Sequence, residues 1–475
     1  MSKNTLSEEA LKNLEKLAKI FNGEGGVKEK INPAEVKYSE KENQIILPAG
    51  MSKKQAREEL GRQIEEDEQE CTVARSFPEW NYKDVLVQIK YASIDSFGWV
   101  PAKADSFSKP YYIKIVTDLK NGQEITEEAF YGKLRIAAWE DATCHISINP
   151  ENGVVSVGLN CKNIYKNKAG NFLDSIQLRL REYSIYRNRA IGIERYGQFG
   201  IEFDLIEIKP NHKIKLNKNL QESLEDEFFW ELKDNKKHIF LFFGPYGCGK
   251  TETAMNGCYK SLEYGATVFY VKNHRFFSSI LELAPNYGKA VVFIEDIEQE
   301  LNTSEGRSGK INDILNTMDG ITTKHSDIKV IVTTNHPELI AKPATRPGRT
   351  DGVYHFSEPD PDTAVSIICE YAGIPLNKPM LPNSPPKTNT TIEWDRVKEK
   401  ITPQSASIWA RVGQKIKNYM EQGKELNTEL IIKAINSMEG QIALMNTPIP
   451  KDEDVETLMS GLGRLIGTYY KGGYL

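Results

Sequence analysis

The sequence predicts an α/β fold in which a parallel sheet with a C-terminal helical lid follows an α+β domain. From about Lys209 onward, near-continuous apolar runs alternate with helical patterns, as is typical of a parallel sheet covered on both faces. The first run leads directly into the octet at residues 244–251, which has the form G-x-x-x-x-G-K-T. Earlier, short strands with turn signals between them indicate the separate α+β domain. The expected segments are 1–41 (helix and linker), 42–205 (α+β domain), 206–357 (parallel sheet), 358–445 (lid) and 446–475 (C-terminal helix or tail).

Length, charge and cysteine usage restrict the class of protein. The 475 residues suffice for two or three domains. Lys and Arg number 61 against 66 Asp and Glu, so the net charge of -5 gives no global argument for nucleic-acid binding. The 6 cysteines are scattered without C-x-x-C spacing, which indicates reduced thiols. Since no apolar stretch is long enough to span a membrane, we expect a soluble intracellular protein.

The N-terminal part is predicted to mix helices with an antiparallel sheet. An amphipathic helix is expected first and should end at Asn22-Gly23. A short strand at 44–48 precedes a helix over 52–70, where Ser52 and Gln55 have the spacing of a capping box. Two more helices, at 82–97 and about 170–189, enclose strands expected at 111–115, 127–132, 144–148 and 154–159.

The C-terminal part is predicted to change from strands to helices after Asp360. Its apolar runs predict strands at 239–243, 267–271, 290–294, 329–333 and 352–356. Helices of the lid are expected at 360–372, 392–401, 403–421 and 426–444, with a proline-rich break at 375–386.

The glycine-rich octet has the chemistry of a phosphate-binding loop. Its glycines let the chain curl so that successive backbone N–H groups point at one anion, and the following helix adds its positive N-terminal end. Lys250 is placed to reach terminal phosphates, and the Thr251 hydroxyl is placed to ligate Mg²⁺. The sequence therefore predicts a nucleoside triphosphate site formed by Gly244, Pro245, Tyr246, Gly247, Cys248, Gly249, Lys250, Thr251 and Glu252.

Three further elements follow the octet at strand ends or turns. Glu295-Asp296 ends a buried strand, where one carboxylate can hold Mg²⁺ and its neighbour can deprotonate the attacking water. Asn335 ends the next strand and can polarise that water. Arg346 and Arg349 lie in a Pro-Gly turn and can stabilise phosphoryl charge from outside the site. Because the phosphate-binding loop precedes it, Glu295-Asp296 is favoured as a magnesium site over an ordinary exposed strand end. Taken alone, Asn335 is more often a turn former, and the two arginines are more often a solvated surface turn.

The order of these motifs resembles that of the AAA family within the AAA+ ATPases, over about residues 214–444. Met318-Asp319-Gly320 also fits the family pattern. The resemblance implies the strand order 5-1-4-3-2, ATP and Mg²⁺ as ligands, and a head-to-tail ring of six or seven subunits. It further implies that Asn335 is sensor 1 and that Arg346 and Arg349 are arginine fingers acting on a neighbour's ATP. The implied catalytic residues are Lys250, Glu295, Asp296, Asn335, Arg346 and Arg349, and the implied metal ligands are Thr251 and Glu295.

Two features depart from the usual family pattern. Most members have Asp-Glu where this chain has Glu295-Asp296, which predicts either slower hydrolysis or a shifted backbone. Only residues 272–289 separate the second and third strands, too few for an aromatic pore loop, and Phe276-Phe277 looks like a helix-packing pair. Both features are similar to those of the mitochondrial AAA translocase of the folded Rieske protein and of related bacterial and phage proteins. We therefore expect a cytoplasmic protein of a bacterial or phage-infected cell.

The N-terminal domain is expected to determine the substrate, and three hypotheses follow. The first is a ring ATPase that remodels or moves a protein client recruited by this domain. The second is an ATPase acting on nucleic acid in phage or plasmid replication or defence, and the third is a nucleotide-gated structural ring with slow turnover. Arginines between residues 179 and 195 suit a nucleic-acid surface, but the balanced charge favours a solvated helix face. Cys144, His145 and Cys161 lack a fourth ligand at zinc spacing.

Overall fold

The part of the chain that the computed structural model describes consists mainly of two large sheets and a helical lid. The described residues are 37–39, 44–46, 52–97, 110–136, 139–140, 142–234, 238–297, 327–336, 351–375 and 392–445. Several predicted features lie outside them: the helix before Asn22, the segment 318–320, Arg346 and Arg349, most of the proline-rich break, and residues 446–475. Among the described residues, no helix is both long enough and apolar enough to cross a membrane.

The N-terminal domain is a five-stranded antiparallel sheet with helices packed on one face. The strand order is β3-β7-β6-β5-β4, and burial alternates along the strands, so one face is covered and the other is exposed. A small antiparallel pair, β1 and β2, precedes it. The elements are β1 Lys37–Ser39, β2 Gln44–Ile46, α1 Lys53–Glu68, β3 Glu70–Phe77, α2 Tyr82–Phe97, β4 Tyr111–Lys120, β5 Gln123–Ile136, β6 Ala142–Ile148, β7 Val155–Lys162 and α3 Lys166–Tyr183.

Local chemistry explains several of these boundaries. Ser52 caps α1 by accepting from the Gln55 backbone N–H (3.2 Å), while the Ser52 N–H donates to the Gln55 side chain (2.9 Å). This confirms the predicted capping box. Asn121 and Gly122, with φ of 53° and 76°, form the two-residue turn between β4 and β5, which requires positive φ at both positions.

The second sheet has seven strands in the order β11-β8-β13-β14-β15-β12-β16. Strands β12 to β16 are parallel wherever two of them pair. If these five strands are numbered 1 to 5 along the chain, their order in the sheet, starting from the edge strand β16, is 5-1-4-3-2. Its seven strands are β8 Ala190–Ile193, β11 Asp204–Ile206, β12 Ile239–Phe243, β13 Thr267–Val271, β14 Ala290–Ile294, β15 Ile328–Thr334 and β16 Gly352–His355. Strands β9 Tyr196–Gly197 and β10 Gly200–Ile201 form a separate antiparallel pair. The helices of this part are α4 Lys218–Ser223, α5 Phe229–Glu231, α6 Lys250–Glu263 and α7 Phe277–Leu283, with a π-helical turn Leu224–Phe228 between α4 and α5.

Strands β8 and β11 correct the predicted division of the chain. β8 pairs in parallel with β13, and β11 pairs antiparallel with β8, so both extend the second sheet. The sequence placed them in the N-terminal domain, and the boundary expected between residues 205 and 206 cuts through this sheet. The helix expected to reach residue 189 ends at Tyr183, because the chain from Ala190 is already strand β8.

The N-terminal domain and the second sheet share one hydrophobic core. Residues before α2 rest on the segment between β13 and β14: the Asn81 N–H donates to the Tyr287 hydroxyl (2.9 Å), and the Asn286 side chain donates to the Glu79 carbonyl (2.9 Å). Trp80 packs edge-on against Tyr287 with ring centroids 5.2 Å apart. Phe276 and Phe277 are fully buried in the shared core, as helix-packing residues would be.

The lid has its own core around Trp409, separate from that of the sheet. Asp360 caps its first helix by accepting from the Thr363 N–H (2.8 Å). The helix predicted at 426–444 is two helices, since the Ser437 hydroxyl donates to the Ala434 carbonyl (2.6 Å) at the break between them. The lid helices are α8 Pro361–Ala372, α9 Trp394–Lys398, α10 Ala406–Glu421, α11 Thr428–Asn436 and α12 Glu439–Met445.

Candidate nucleotide-binding site

The glycine-rich loop connects the end of β12 to the start of α6, and only glycine fits three of its positions. Gly244, Gly247 and Gly249 have φ of 143°, 72° and 93°, a region that L side chains rarely adopt. A Cβ at Gly244 would lie 1.9 Å from the Phe356 carbonyl oxygen, and a Cβ at Gly247 would lie 2.7 Å from the Ser407 hydroxyl. The loop is therefore a tight cradle of backbone that side chains would fill.

A cleft of about 520 Å³ opens beside this loop, between the sheet and the lid. Its walls come from the loop, the ends of β14 and β15, the segment before α4, and the lid helices α8 and α10. This volume lies in the range of small-ligand pockets. Residues from the walls include Asn211, Ile214, Tyr371, Ala406 and Arg411. The lid touches the loop directly, because the Ser407 N–H donates to the Gly247 carbonyl (3.2 Å).

Lys250 places a buried ammonium group between the loop and the end of β15. The residue is 5% exposed. Its ammonium donates to the carbonyls of Gly244 (2.8 Å) and Pro245 (2.7 Å) and to the Asn335 side-chain oxygen (2.7 Å). These contacts compensate the burial of the charge. They hold the one positive side chain of the loop against the end of β15.

Glu295, the first residue after β14, has a donor on each carboxylate oxygen. The Thr251 hydroxyl donates to Oε1 (2.6 Å) and the Tyr270 hydroxyl donates to Oε2 (2.5 Å). The His274 Nε2 lies 2.6 Å from the Glu295 backbone carbonyl oxygen. Burial and the neighbouring Glu295 raise the pKa of Tyr270 well above its usual value, so its phenol keeps the donating proton at neutral pH.

Asp296 turns away from Glu295 because its backbone is left-handed, with φ of 46°. This conformation is uncommon outside glycine, although Asp tolerates it better than most residues. The Asp296 N–H donates to the Thr333 hydroxyl (3.1 Å), and its carboxylate accepts from the Asn335 amide (2.7 Å). The two adjacent carboxylates therefore serve different neighbours, Thr251 for Glu295 and Asn335 for Asp296.

The structure brings together Lys250, Thr251, Glu295, Asp296 and Asn335, which the sequence singled out from distant segments. Tyr270 and His274 also contact this group, but the motifs did not identify them. The only available signal was a polar residue near the carboxyl end of the buried strand β13. Arg346 and Arg349 lie outside the described residues, so no position is given for them.

The remaining loop residues take supporting positions. Tyr246 is 59% exposed, and its hydroxyl lies 3.4 Å from the His336 Nε2. Cys248 is buried, which raises the pKa of its thiol despite the nearby Lys250. Glu252 accepts from the Asn211 side chain (3.1 Å), which ties α6 to the wall of the cleft.

These residues fit a nucleoside triphosphate with Mg²⁺. The cradle that a Cβ would fill leaves backbone free to approach phosphates, and Lys250 supplies the positive charge. The Thr251 hydroxyl and the Glu295 carboxylate, 2.6 Å apart, are the hard oxygen ligands that Mg²⁺ prefers. The fold and the site together define a phosphate-binding-loop nucleotide-binding protein with a helical lid.

Comparison with known proteins narrows this class. Residues 240–358 match the model of the ATPase family associated with various cellular activities (AAA). These residues are therefore similar in sequence to the ATPase domain of that family. The matched residues run from β12 to the start of the lid.

Two curated relatives carry ATPase names. A Plasmodium falciparum protein with the name cell division cycle ATPase is 31% identical over 153 residues, which are 29% of this chain and 12% of that protein. An Arabidopsis thaliana AAA-ATPase is 28% identical over 194 residues, which are 38% of this chain and 39% of that protein. The chain thus spans less than half the length of either relative. Both relatives are eukaryotic, so they give no support to the expected bacterial or phage origin.

Proposed function

We propose that this chain is a ring-forming, Mg²⁺-dependent ATPase that uses hydrolysis to remodel or translocate a protein client recruited by its N-terminal domain. The observation that carries the proposal is that the two adjacent carboxylates have different hydrogen-bond partners. Glu295 contacts the Thr251 hydroxyl, and Asp296 contacts the amide of Asn335, whose oxygen accepts from Lys250. This arrangement supports one carboxylate for the metal and one for the water.

In the proposed mechanism, the loop and Lys250 bind the phosphates. The backbone N–H groups of the loop point into the cradle, and the Lys250 ammonium exchanges carbonyl partners for phosphate oxygens. Thr251 and Glu295 would hold Mg²⁺, which would supply positive charge to the phosphates when bound. Lid residues around Ser407 close over the loop and help to exclude water.

Asp296 is the proposed general base, and Asn335 is the residue that orients it. The Asn335 amide bonds to the Asp296 carboxylate, and its oxygen bonds to Lys250, so it links the base to the phosphate-binding residue. Asp296 accepts a proton of the attacking water as the water oxygen bonds to the terminal phosphorus. The bond from that phosphorus to the bridging oxygen breaks, and ADP and inorganic phosphate are the products. The left-handed backbone at Asp296 is consistent with a strained functional position.

Replacing Asp296 by Asn tests the proposed base. We expect Asp296→Asn to bind ATP with Mg²⁺ normally and to lose about 100-fold or more in kcat, the usual contribution of a general base. Steady-state phosphate release and nucleotide titration measure the two quantities. Asp174→Asn, a matched change at an exposed carboxylate of α3, should leave both unchanged. Undiminished turnover of the Asp296 variant would reject Asp296 as the base, and negligible turnover of the wild type would favour the slow structural ring.

Arg349 is proposed to act on the ATP of a neighbouring subunit, on the basis of its motif and the family resemblance. We expect Arg349→Ala and Asp296→Asn each to be inactive alone. In mixed rings, an Arg349→Ala subunit keeps Asp296 in its own site and can receive Arg349 from a neighbouring Asp296→Asn subunit. Part of the ATPase activity should therefore return. A mixture that stays inactive would contradict action between subunits. Electron microscopy with a slowly hydrolysed ATP analogue would distinguish six subunits from seven.

Contacts in the N-terminal domain support a protein client over nucleic acid. Arg179 pairs with Asp95 (2.7 Å) and stacks on Tyr91 and Tyr183, and Arg189 pairs with Asp118. These arginines are therefore engaged within the chain. Under this proposal DNA and RNA do not raise ATPase activity at low salt. Stimulation with a salt-dependent affinity would instead support the nucleic-acid hypothesis.

The segment between β13 and β14 supports a client that moves in a folded state. In threading members of the family this segment carries the aromatic pore loop, but here it is short and packs beneath the N-terminal domain through Tyr287. Phe276 and Phe277 are fully buried and unable to grip a polypeptide from there. The short segment and the Glu-Asp order together favour likeness to the Rieske-protein translocase subset.

A further inference from the structure

Glu295 presents a geometric problem at the position where the family usually has Asp. A glutamate carries one more rotatable bond than an aspartate, so its carboxylate samples more positions and loses more entropy when fixed. A carboxylate that holds a metal needs a defined orientation, which neighbouring hydrogen bonds usually provide. The question is which residue provides it here.

Tyr270 supplies that second contact from the neighbouring strand. Its hydroxyl donates to Oε2 of Glu295 (2.5 Å), while the Thr251 hydroxyl donates to Oε1 (2.6 Å). The carboxylate is therefore held from both sides, by a residue of α6 and a residue of β13. Only the Thr251 side belongs to the predicted motifs.

Tyr270 is itself fixed by the sheet. It lies opposite Phe293 in the pairing of β13 with β14, and the two rings stack with centroids 5.0 Å apart and an interplanar angle of 9°. The His274 ring, just beyond β13, contacts the Glu295 backbone carbonyl at 2.6 Å. Strand β13 and the turn after it thus hold both the backbone and the side chain of Glu295.

We infer that Tyr270 is a positioning residue that orients the Glu295 carboxylate toward Mg²⁺ and makes a glutamate workable at this position. The inference rests on the proposed function, since it takes Glu295 to be the metal ligand. Tyr270 acts through Glu295 and not on the nucleotide. Removing the Tyr270 hydroxyl should weaken binding of the metal and leave nucleotide binding without metal unchanged.

The test is a Mn²⁺ and Mg²⁺ titration of the full chain with ADP and ATP. Binding of a fluorescent ATP analogue is measured with EDTA and across Mg²⁺ concentrations, and Mn²⁺ bound with ADP is measured by electron paramagnetic resonance. We expect Tyr270→Phe to raise the metal concentration for half-maximal binding about tenfold, as loss of such a supporting contact usually does, with unchanged affinity in EDTA. Tyr354→Phe is the matched control, because its hydroxyl is buried in the same sheet and has no hydrogen-bond partner among the residues that the structure describes.

A double variant makes the assignment specific. Asp at position 295 is too short to keep the contact with Tyr270, so adding Tyr270→Phe to Glu295→Asp should change metal dependence no further. Equal metal dependence in Tyr270→Phe and wild type would overturn the inference, as would an equal loss of nucleotide binding in EDTA. The inference would also be overturned if Tyr270→Phe changed the metal dependence as much in the Glu295→Asp variant as it does in the wild type. Absence of metal-dependent nucleotide binding in the wild type would overturn the proposed function together with the inference.

Discussion

At the scale of single residues, Asp84 of α2 shows how this chain buries a carboxyl group. The residue is fully buried and accepts from the Ser184 hydroxyl (2.5 Å) and the Ile185 N–H (3.2 Å), with Gln88 also in contact. Burial raises the pKa of Asp84 to about 6, although these hydrogen bonds and the nearby Arg187 act in the opposite direction. The phenols of Tyr186 and Tyr287 complete its surroundings.

This raised pKa predicts a pH-dependent stability. The folded state binds the Asp84 proton more tightly than the unfolded state, so the contribution to stability is present below about pH 4 and is lost as pH rises through about 6. Two pKa units correspond to on the order of 3 kcal/mol. Asp84→Asn stays neutral, so wild type should lose stability relative to the variant by roughly that amount between pH 4 and pH 7.

Urea unfolding of both proteins at a series of pH values measures the difference. A difference in unfolding free energy that does not vary with pH would show that Asp84 does not titrate in this range. Asp174→Asn, at a side chain that is 66% exposed, serves as the control and should give a nearly flat difference.

The candidate site shows which residue-scale features a sequence can reveal. Lys250, Thr251, Glu295, Asp296 and Asn335 could be predicted because each has a local signature, a glycine-rich loop or a strand end. Tyr270 could not be predicted, since its contact with Glu295 depends on the register between β13 and β14. A pattern along one strand contains no information about the residue opposite it on the next.

At the scale of elements, strands β8 and β3 were missed for two different physical reasons. β8 is only four residues long, with all four buried, so it lacks the alternation that marks a half-exposed strand. Its place in the second sheet is set by β13, a partner far along the chain. β3 directly follows the acidic end of α1, where helical charge patterns conceal its own alternating burial. The four strands β12 to β15 were easier to predict because each is a nearly continuous apolar run.

At the scale of the whole molecule, the N-terminal domain and the second sheet share one hydrophobic core, so we expect them to unfold together. Their shared core contains Tyr186 and Phe203 from the connecting region, Phe269 from β13 and Tyr287 from the following segment. A cut at the predicted boundary between residues 205 and 206 would remove the first two and leave the others exposed.

We therefore expect a fragment of residues 206–445 to be insoluble or unable to bind nucleotide. It lacks β8 and β11, which leaves the edge of β13 unpaired. A fragment of residues 52–445 keeps the shared core and should bind ATP like the full chain. Soluble yield and thermal unfolding with and without ATP measure the outcome. A folded, nucleotide-binding 206–445 fragment would contradict the shared core.

Because the lid has its own core, we expect the lid to move relative to the sheet. The sheet and the lid bury their apolar side chains in different clusters, so we expect opening of the cleft between them to cost less free energy than disruption of either core. A ligand that touches both walls adds RT ln(1 + [L]/Kd) to the cost of opening, about 2.7 kcal/mol at a hundredfold excess over Kd. Under the proposed function, nucleotide concentration would set the free-energy cost of opening this cleft. A ring built from such subunits would become more rigid as its ATP supply rises and more pliable as that supply falls.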